Sequence, residues 1–216
     1  MTKKRVAILI SGRGSNMMAL VEAAEAPDYP AEIVMVISNR PGAAGLAWAK
    51  ERGIPALGLD HKRYESREHF EGQMQSALEL AKVDIVCCAG FMRLMTAGFV
   101  DQWRDRMLNI HPSLLPSFKG LHTHARALAA GVKIAGCTVH FVRSEMDEGP
   151  ILAQAAVPVL DGDTEDALAD RILNLEHRIY PQALRILATG QAVIEGERVR
   201  FRVPVNQMPP LISPSV

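Results

Sequence analysis

The sequence predicts an α/β protein in which helices cover both faces of a mostly parallel sheet. Short, almost wholly apolar segments alternate along the chain with segments whose apolar residues recur at helical spacing. The short segments lack polar alternation, which is typical of parallel strands buried on both faces. A chain of 216 residues can form one such domain with a sizeable core. We therefore expect a single domain over residues 1–203 and a C-terminal tail over residues 204–216.

Each element in the first half of the chain has its own local signal. Apolar, β-rich runs predict strands at residues 6–10, 33–37, 56–59, 85–89 and 107–110. Helical spacing, together with residues that start or stop the pattern, predicts helices at 16–26, 42–53, 66–82 and 96–103. Ser66 is a suitable N-cap for the third of these helices, because its hydroxyl can accept from a free backbone N–H of the first turn.

The C-terminal part of the chain changes character. Longer strands are predicted at 135–142 and 151–159, which indicates a mixed sheet there. A long helix is predicted over 164–189, with Glu165 and Asp166 at its positive end. Segments 192–195 and 198–203 predict a hairpin, and the tail after it is predicted to be loop. Together the elements predict a Rossmann-like sheet with mixed strands toward the C-terminus.

Composition disfavours several classes of partner. Lys plus Arg and Asp plus Glu number 24 each, so the chain lacks the basic excess typical of nucleic-acid or membrane-surface binding. The apolar run at 6–10 is too short for a secretory signal, and no run approaches the ~20 residues of a membrane span. We expect a cytoplasmic monomer or homodimer that acts on small molecules.

The three cysteines form neither a disulfide framework nor a zinc pattern. Cys87 and Cys88 are adjacent in an apolar run, Cys137 is distant, and no Cys-x-x-Cys occurs. We expect buried, reduced thiols.

Asn109 and His111 lie where a predicted strand ends at Pro112. Residues i and i+2 of a strand point to one face, so the amide and the imidazole are expected side by side. Ligands of open α/β sheets bind at such strand ends. An amide that donates to an oxyanion, beside an imidazole that moves a proton, suits acyl transfer. The alternative is a histidine with a purely structural role.

A glycine turn, Ser11-Gly12-Arg13-Gly14-Ser15-Asn16, lies between the first strand and the first helix. Glycines allow a sharp turn and close approach of a ligand, and a helix N-terminus favours an anion. The turn does not match a dinucleotide fingerprint, because Met17 replaces the third glycine, and it lacks the Gly-Lys-Ser/Thr of a P-loop. It predicts a monophosphate site, or else an ordinary turn in which Ser15 or Asn16 caps the helix.

An acidic loop over residues 144–150 follows the first of the two longer strands. It is either a solvated loop or the source of a carboxylate that reaches His111 and favours its protonated form. His122 and His124 have no third ligand at suitable spacing, so we expect no metal.

These motifs resemble the folate-dependent phosphoribosylglycinamide formyltransferases of purine synthesis over nearly the whole chain. The resemblance rests on the glycine turn, the Asn-x-His-Pro-Ser-Leu-Leu-Pro block at 109–116, and further matching segments, which are 66–68, 89–94, 120–124, 138–142, 146–150 and 176–181. The block at 109–116 is typical of the wider superfamily of folate formyltransferases. The glycine turn narrows the resemblance to the phosphoribosylglycinamide formyltransferases. The resemblance implies 10-formyltetrahydrofolate as co-substrate and glycinamide ribonucleotide as acceptor.

The resemblance also implies a role for particular residues. The catalytic trio is Asn109, His111 and Asp147. Substrate-binding residues are Gly14, Ser15 and Asn16 for the phosphate and Glu176 for the ribose. Folate-binding residues are Arg67, Met92, Arg93, Leu94, Met95 and Asn109. The chain departs from the pattern at Glu148, where many relatives have glycine, and we expect Glu148 to stiffen the loop and add negative charge.

Two other classes remain as alternatives. One is another folate-dependent, formyl-handling enzyme, such as a formyltetrahydrofolate hydrolase or an enzyme with a different acceptor. The other is a non-catalytic nucleotide or folate binder with the same fold. A turnover assay separates them.

Overall fold

Strands and helices alternate along most of the chain. The structure is a computed structural model that describes residues 2–204 and 211–214. The strands are β1 (Lys4–Ile10), β2 (Ala31–Ser38), β3 (Ala56–Gly58), β4 (Ile85–Cys88), β5 (Met107–His111), β6 (Ile134–Phe141), β7 (Ile151–Pro158), β8 (Ala192–Glu195) and β9 (Arg198–Phe201). The helices are α1 (Ser15–Ala24), α2 (Ala44–Glu51), α3 (Arg67–Leu80), α4 (Ala97–Gln102), α5 (Thr123–Ala129) and α6 (Glu165–Ala188).

The sheet confirms the predicted α/β class. Seven strands have the order β3-β2-β1-β4-β5-β6-β7, and β8 and β9 form a separate two-stranded sheet. The pairs from β3 to β5 are parallel, whereas β6 and β7 are antiparallel. The mixed character expected toward the C-terminus is therefore present.

The chain divides into two compact units, of which the first comprises the residues up to Asn109 and Phe141–Ser144. Its β1 is buried from Val6 onward and all four residues of β4 are buried, as the unbroken apolar runs predict. A core cluster joins the strands to α3 and α4 through Phe70, Met74 and Phe99. This packing places the C-terminal ends of the parallel strands, and the turns that follow them, on a rigid support.

The second unit comprises Ile110–His140 and the residues from Glu145 onward. In it β6 and β7 approach closely at Gly136, where an added Cβ would lie 2.0 Å from the carbonyl oxygen of Ala155. Only glycine fits this position. Helix α6 begins after Thr164, whose hydroxyl accepts from the N–H of Ala167, and it continues through Pro181 to Ala188.

Several local predictions are confirmed. Ser66 caps α3 by accepting from the N–H of His69 at 3.1 Å. The three cysteines are buried and form no disulfide. The hairpin is present, although its second strand ends at Phe201 rather than at residue 203. No helix among the described residues is long and apolar enough to cross a membrane.

Two elements were absent from the sequence-based assignment. Helix α5 follows His122, which has a left-handed φ of 56°, and no side chain caps it, so the usual start signal is missing. A single 3₁₀ turn at His61–Arg63 was also missed. Of the predicted C-terminal loop, residues 204 and 211–214 have no helix or strand, and residues 205–210, 215 and 216 lie outside the described residues.

Candidate active site

The imidazole of His111 lies at the end of β5 and is buried, with 6% of the residue exposed. Its Nε2 is 3.1 Å from the carbonyl oxygen of Phe118, and its Nδ1 is 3.5 Å from Oδ2 of Asp147. A carbonyl oxygen only accepts, so Nε2 carries a hydrogen in this arrangement. Nδ1 faces the Asp147 carboxylate, so both ring nitrogens have partners within the protein. The geometry suits general acid catalysis.

Asp147 approaches His111 from the loop between β6 and β7 and holds an unusual backbone conformation. Its φ is 58°, in the left-handed region that costs a residue with a side chain about 1–3 kcal/mol. The side chain is only 10% exposed. The backbone N–H of Gly120 donates to its Oδ2 at 2.8 Å. Contacts of the carboxylate therefore hold this strained conformation in place.

A second imidazole faces the same carboxylate. Nε2 of His140, on β6, lies 3.8 Å from Oδ1 of Asp147, and only 2% of His140 is exposed. The carboxylate of Asp147 thus lies between two histidines and accepts from a backbone amide. The sequence indicated no partner for His140, because Asp147 lies in the loop that follows β6 and no local pattern relates the two residues.

The turn that follows His111 is held by a buried hydroxyl. Thr138 donates to the carbonyl oxygen of Ser113 at 2.7 Å and accepts from the N–H of Leu115 at 3.1 Å. The side chain of Gln154 donates to the carbonyl oxygen of Leu115 at 2.9 Å. The Leu115–Pro116 peptide bond is cis. These contacts determine the path of the chain between His111 and Phe118.

Asn109 lies on β5 two residues before His111, opposite Cys88 in the register of β4. The strand geometry gives Asn109 and His111 the same face of the sheet. Asn109 is half-buried.

The glycine turn forms the start of α1. Gly14 is the N-cap with a φ of 77°, which favours glycine, and no side chain caps the helix, so the alternative of Ser15 or Asn16 as cap is wrong. Gly45 of α2 donates its N–H to the carbonyl oxygen of Gly12 at 3.1 Å. A helix N-terminus of this kind favours an anion.

Ser11 connects this turn to the predicted folate segment within the first unit. Its hydroxyl lies 2.5 Å from Oδ1 of Asn39 and accepts from the N–H of Met92 at 2.8 Å. Nδ1 of His61 lies 3.0 Å from the carbonyl oxygen of Asn39. The contacts of Ser11 with Asn39 and Met92 were not predicted from the sequence, because a buried polar link between two loops has no local pattern.

The remaining folate candidates are partly exposed. Met92 and Leu94 are 65% and 59% exposed, which is unusual for large apolar side chains, whereas Arg93 and Met95 are half-buried. The guanidinium of Arg93 lies 5.6 Å from the ring centre of Phe70. Arg67 is the exposed first residue of α3.

Glu176, the ribose candidate, is buried on α6, with 6% of the residue exposed. Its charge adds to burial in raising the pKa of Cys137 to about 12. Burial lowers the pKa of His124. Among the described residues no group of three His, Cys, Asp or Glu could hold a metal ion.

A buried acid–imidazole pair at the end of a strand in a mostly parallel sheet is an arrangement suited to an α/β enzyme that moves protons. The family model described as formyl transferase matches residues 4–184. The chain belongs to the formyl transferase family.

Individual relatives agree with this assignment. The chain is 39% identical over 201 residues to a phosphoribosylglycinamide formyltransferase of Escherichia coli, covering 90% of this chain and 95% of that protein. It is 50% identical over 197 residues to a trifunctional purine biosynthetic protein of Drosophila melanogaster, covering 90% of this chain but only 15% of that longer protein. The crystal structure of a glycinamide ribonucleotide transformylase of Symbiobacterium toebii is similar with a TM-score of 0.90 and 49% identity, covering 92% of this chain and 94% of that one.

Proposed function

We propose that this protein transfers the formyl group of 10-formyltetrahydrofolate to the amine of 5'-phosphoribosylglycinamide, a step of de novo purine synthesis. The observation that carries the proposal is the contact of His111 Nδ1 with Asp147 Oδ2 at 3.5 Å in a chain of the formyl transferase family. The relatives named above support this pair of substrates. We place the reaction in the cytoplasm, with small molecules as the only substrates and no metal.

The binding roles follow the residues predicted from the sequence. The phosphate of the acceptor binds at Gly14, Ser15 and Asn16, where a helix N-terminus offers N–H groups and a positive dipole end. Glu176 binds the ribose. Arg67 and the segment from Met92 to Met95 bind folate, and the exposed apolar side chains of that segment suit a flat aromatic ring.

The chemical step uses the trio. The amine attacks the formyl carbon, a C–N bond forms and the carbonyl oxygen becomes an oxyanion. Asn109 donates to this oxyanion, which is typically worth ~10²–10³ in rate. The carboxylate of Asp147 holds the imidazole of His111 in position through its contact with Nδ1.

The intermediate then collapses. The bond between the formyl carbon and the folate nitrogen breaks, that nitrogen takes a proton from His111, and the proton that the former amine releases returns to His111. A positioned acid–base group contributes ~10²–10⁴ in rate. Holding both substrates in reactive geometry can lower the barrier by ~7–11 kcal/mol more. Binding geometry should therefore supply much of the acceleration, and no covalent enzyme intermediate is needed.

A turnover assay tests the proposal. The protein is incubated with glycinamide ribonucleotide and 10-formyltetrahydrofolate, and folate absorbance is followed. We expect formyl transfer that depends on the ribonucleotide. Release of formate without an acceptor would instead indicate a hydrolase, and no turnover by the folded protein would indicate a binder.

Two variants test the site. His111→Ala and Asp147→Asn should each lower kcat by about 10²–10⁴. Asp161→Asn is the matched control, because Asp161 is fully exposed and pairs only loosely with Lys133 at 3.7 Å. Activity of both site variants within a fewfold of the wild type would contradict the assignment.

A further inference from the structure

The two chain segments that meet around Asp147 are joined at two successive positions. The N–H of Gly120 donates to Oδ2 of Asp147 at 2.8 Å. The neighbouring residues also pair. Nζ of Lys119, which precedes Gly120, lies 2.7 Å from Oε1 of Glu148, which follows Asp147. Both pairs lie within the second unit. The ion pair thus lies directly beside the contact that holds the carboxylate.

One of the two segments has its own anchors. Nη1 of Arg126, on α5, donates to the carbonyl oxygen of Lys119 at 2.5 Å, and the carbonyl oxygen of Phe118 contacts His111. The loop that carries Asp147 is more exposed: Met146 is 52% exposed and the side chain of Glu148 is 53% exposed. The strained φ of Asp147 would relax if this loop moved away from Gly120.

We propose that Lys119 and Glu148 are positioning residues: their ion pair holds the loop against the segment at Gly120 and so keeps the Asp147 carboxylate on His111. This rests on the proposed function for its catalytic consequence. Neither residue contacts His111, and both act through Asp147. The negative charge of Glu148, which a glycine at that position would lack, thereby holds the loop that carries Asp147.

The ion pair is accessible to solvent, since the side chains of Lys119 and Glu148 are 35% and 53% exposed. Salt screens such a pair, and pairs of this kind contribute modestly. The expected effect is therefore a fall in kcat of about two- to fivefold when either charge is removed. The same fall should appear in the wild type as salt is added.

The experiment compares Glu148→Gln, Lys119→Met and the double variant at low and high salt. We expect each single variant to lower kcat at low salt, the double variant to be no worse than either, and all to converge with the wild type at about 1 M salt. KM for the ribonucleotide should stay unchanged. Lys119→Arg keeps the charge and should retain more activity than Lys119→Met.

Glu195→Gln is the matched control, because Glu195 forms a 2.7 Å ion pair with Arg200 in the hairpin and has a similarly exposed side chain. This variant should keep the wild-type kcat and salt profile. Two outcomes would overturn the proposal directly: a loss in Glu148→Gln that does not depend on salt, and a double variant whose loss is the sum of the single losses. A rise in KM with Lys119→Met would also overturn it, because Lys119 would then contact substrate directly.

A readout without turnover separates this inference from the proposed function. Hydrogen exchange of the Gly120 amide, followed by NMR, should be faster in Glu148→Gln than in the wild type and unchanged in Glu195→Gln. Unaltered exchange at Gly120 would overturn the positioning role even in an active enzyme. Faster exchange would support it even if the wild type transferred no formyl group.

Discussion

Gly45 donates its backbone N–H to the carbonyl oxygen of Gly12 at 3.1 Å, and there is no room for a side chain at this contact. A Cβ on Gly45 would lie 2.5 Å from Cδ1 of Ile10 and 3.0 Å from the carbonyl oxygen of Arg13. The start of α2 therefore packs directly against the glycine turn at the start of α1 and supports it.

Gly45→Ala should displace this turn. We expect a loss of about 1–3 kcal/mol in the free energy of unfolding from overpacking, and a rise of about tenfold in KM for the ribonucleotide if phosphate hydrogen bonds are lost. Gly72→Ala on α3 is the control, because its added Cβ would meet nothing within 4 Å. Denaturant unfolding and steady-state kinetics provide the two measurements. An unchanged KM would contradict the role of the turn in phosphate binding.

Thr138→Val should damage the turn after His111. The substitution removes, at a fully buried position, the hydroxyl that donates to the carbonyl oxygen of Ser113 and accepts from the N–H of Leu115, and leaves these two groups only their longer 3.2 Å contact with each other. Weakening a buried hydrogen-bonded group in this way costs about 1–3 kcal/mol, and urea unfolding measures the loss. Thr138→Ser keeps the hydroxyl and should lose much less. Equal losses in the two variants would mean that the methyl group, rather than the hydroxyl, supports the turn.

The Asp163–Arg171 pair should make stability depend on acid pH. Two hydrogen bonds from Arg171, each of 2.7 Å, and one from the N–H of Leu160 lower the pKa of Asp163 to about 2. Because the folded pKa lies below the unfolded one, the stabilisation is present at neutral pH and is lost as pH falls from about 4 to about 2.

Asp163→Asn should therefore be less stable than the wild type at neutral pH, and the difference should shrink as pH falls below about 4 and through about 2. Thermal unfolding across this pH range measures it. Asp161→Asn should show no comparable difference, since Asp161 is fully exposed. A gap between Asp163→Asn and the wild type that stayed constant from neutral pH to pH 2 would show that the effect is not the charge of Asp163.

The cysteines should be unreactive in the folded protein. Burial raises the pKa of Cys88, and burial with the nearby Glu176 charge raises the pKa of Cys137 to about 12. The thiolate is the reactive form, so a thiol reagent at pH 8 should label none of the three cysteines until denaturant is added. Mass spectrometry counts the labels. Rapid labelling of the native protein would contradict the buried positions.

The sequence predicted most strands and helices because their signals are local. The apolar run of β4 and the Ser66 cap of α3 need only neighbouring residues to be recognised. Helix α5 was missed because it has seven residues and begins after a left-handed histidine without a capping side chain. The Asn109–His111 spacing on β5 was likewise visible in the sequence, since strand geometry alone relates residues i and i+2.

The sequence by itself thus determined the α/β class, the strand that carries Asn109 and His111, and the glycine turn, because each depends on short-range periodicity or on a single residue's allowed backbone angles. Only the tertiary structure decided that Asp147 meets His111, that His140 faces the same carboxylate, and that Lys119 pairs with Glu148. These partners lie 7 to 36 residues apart, on different loops and strands, and chain folding places them together through packing that no local pattern encodes.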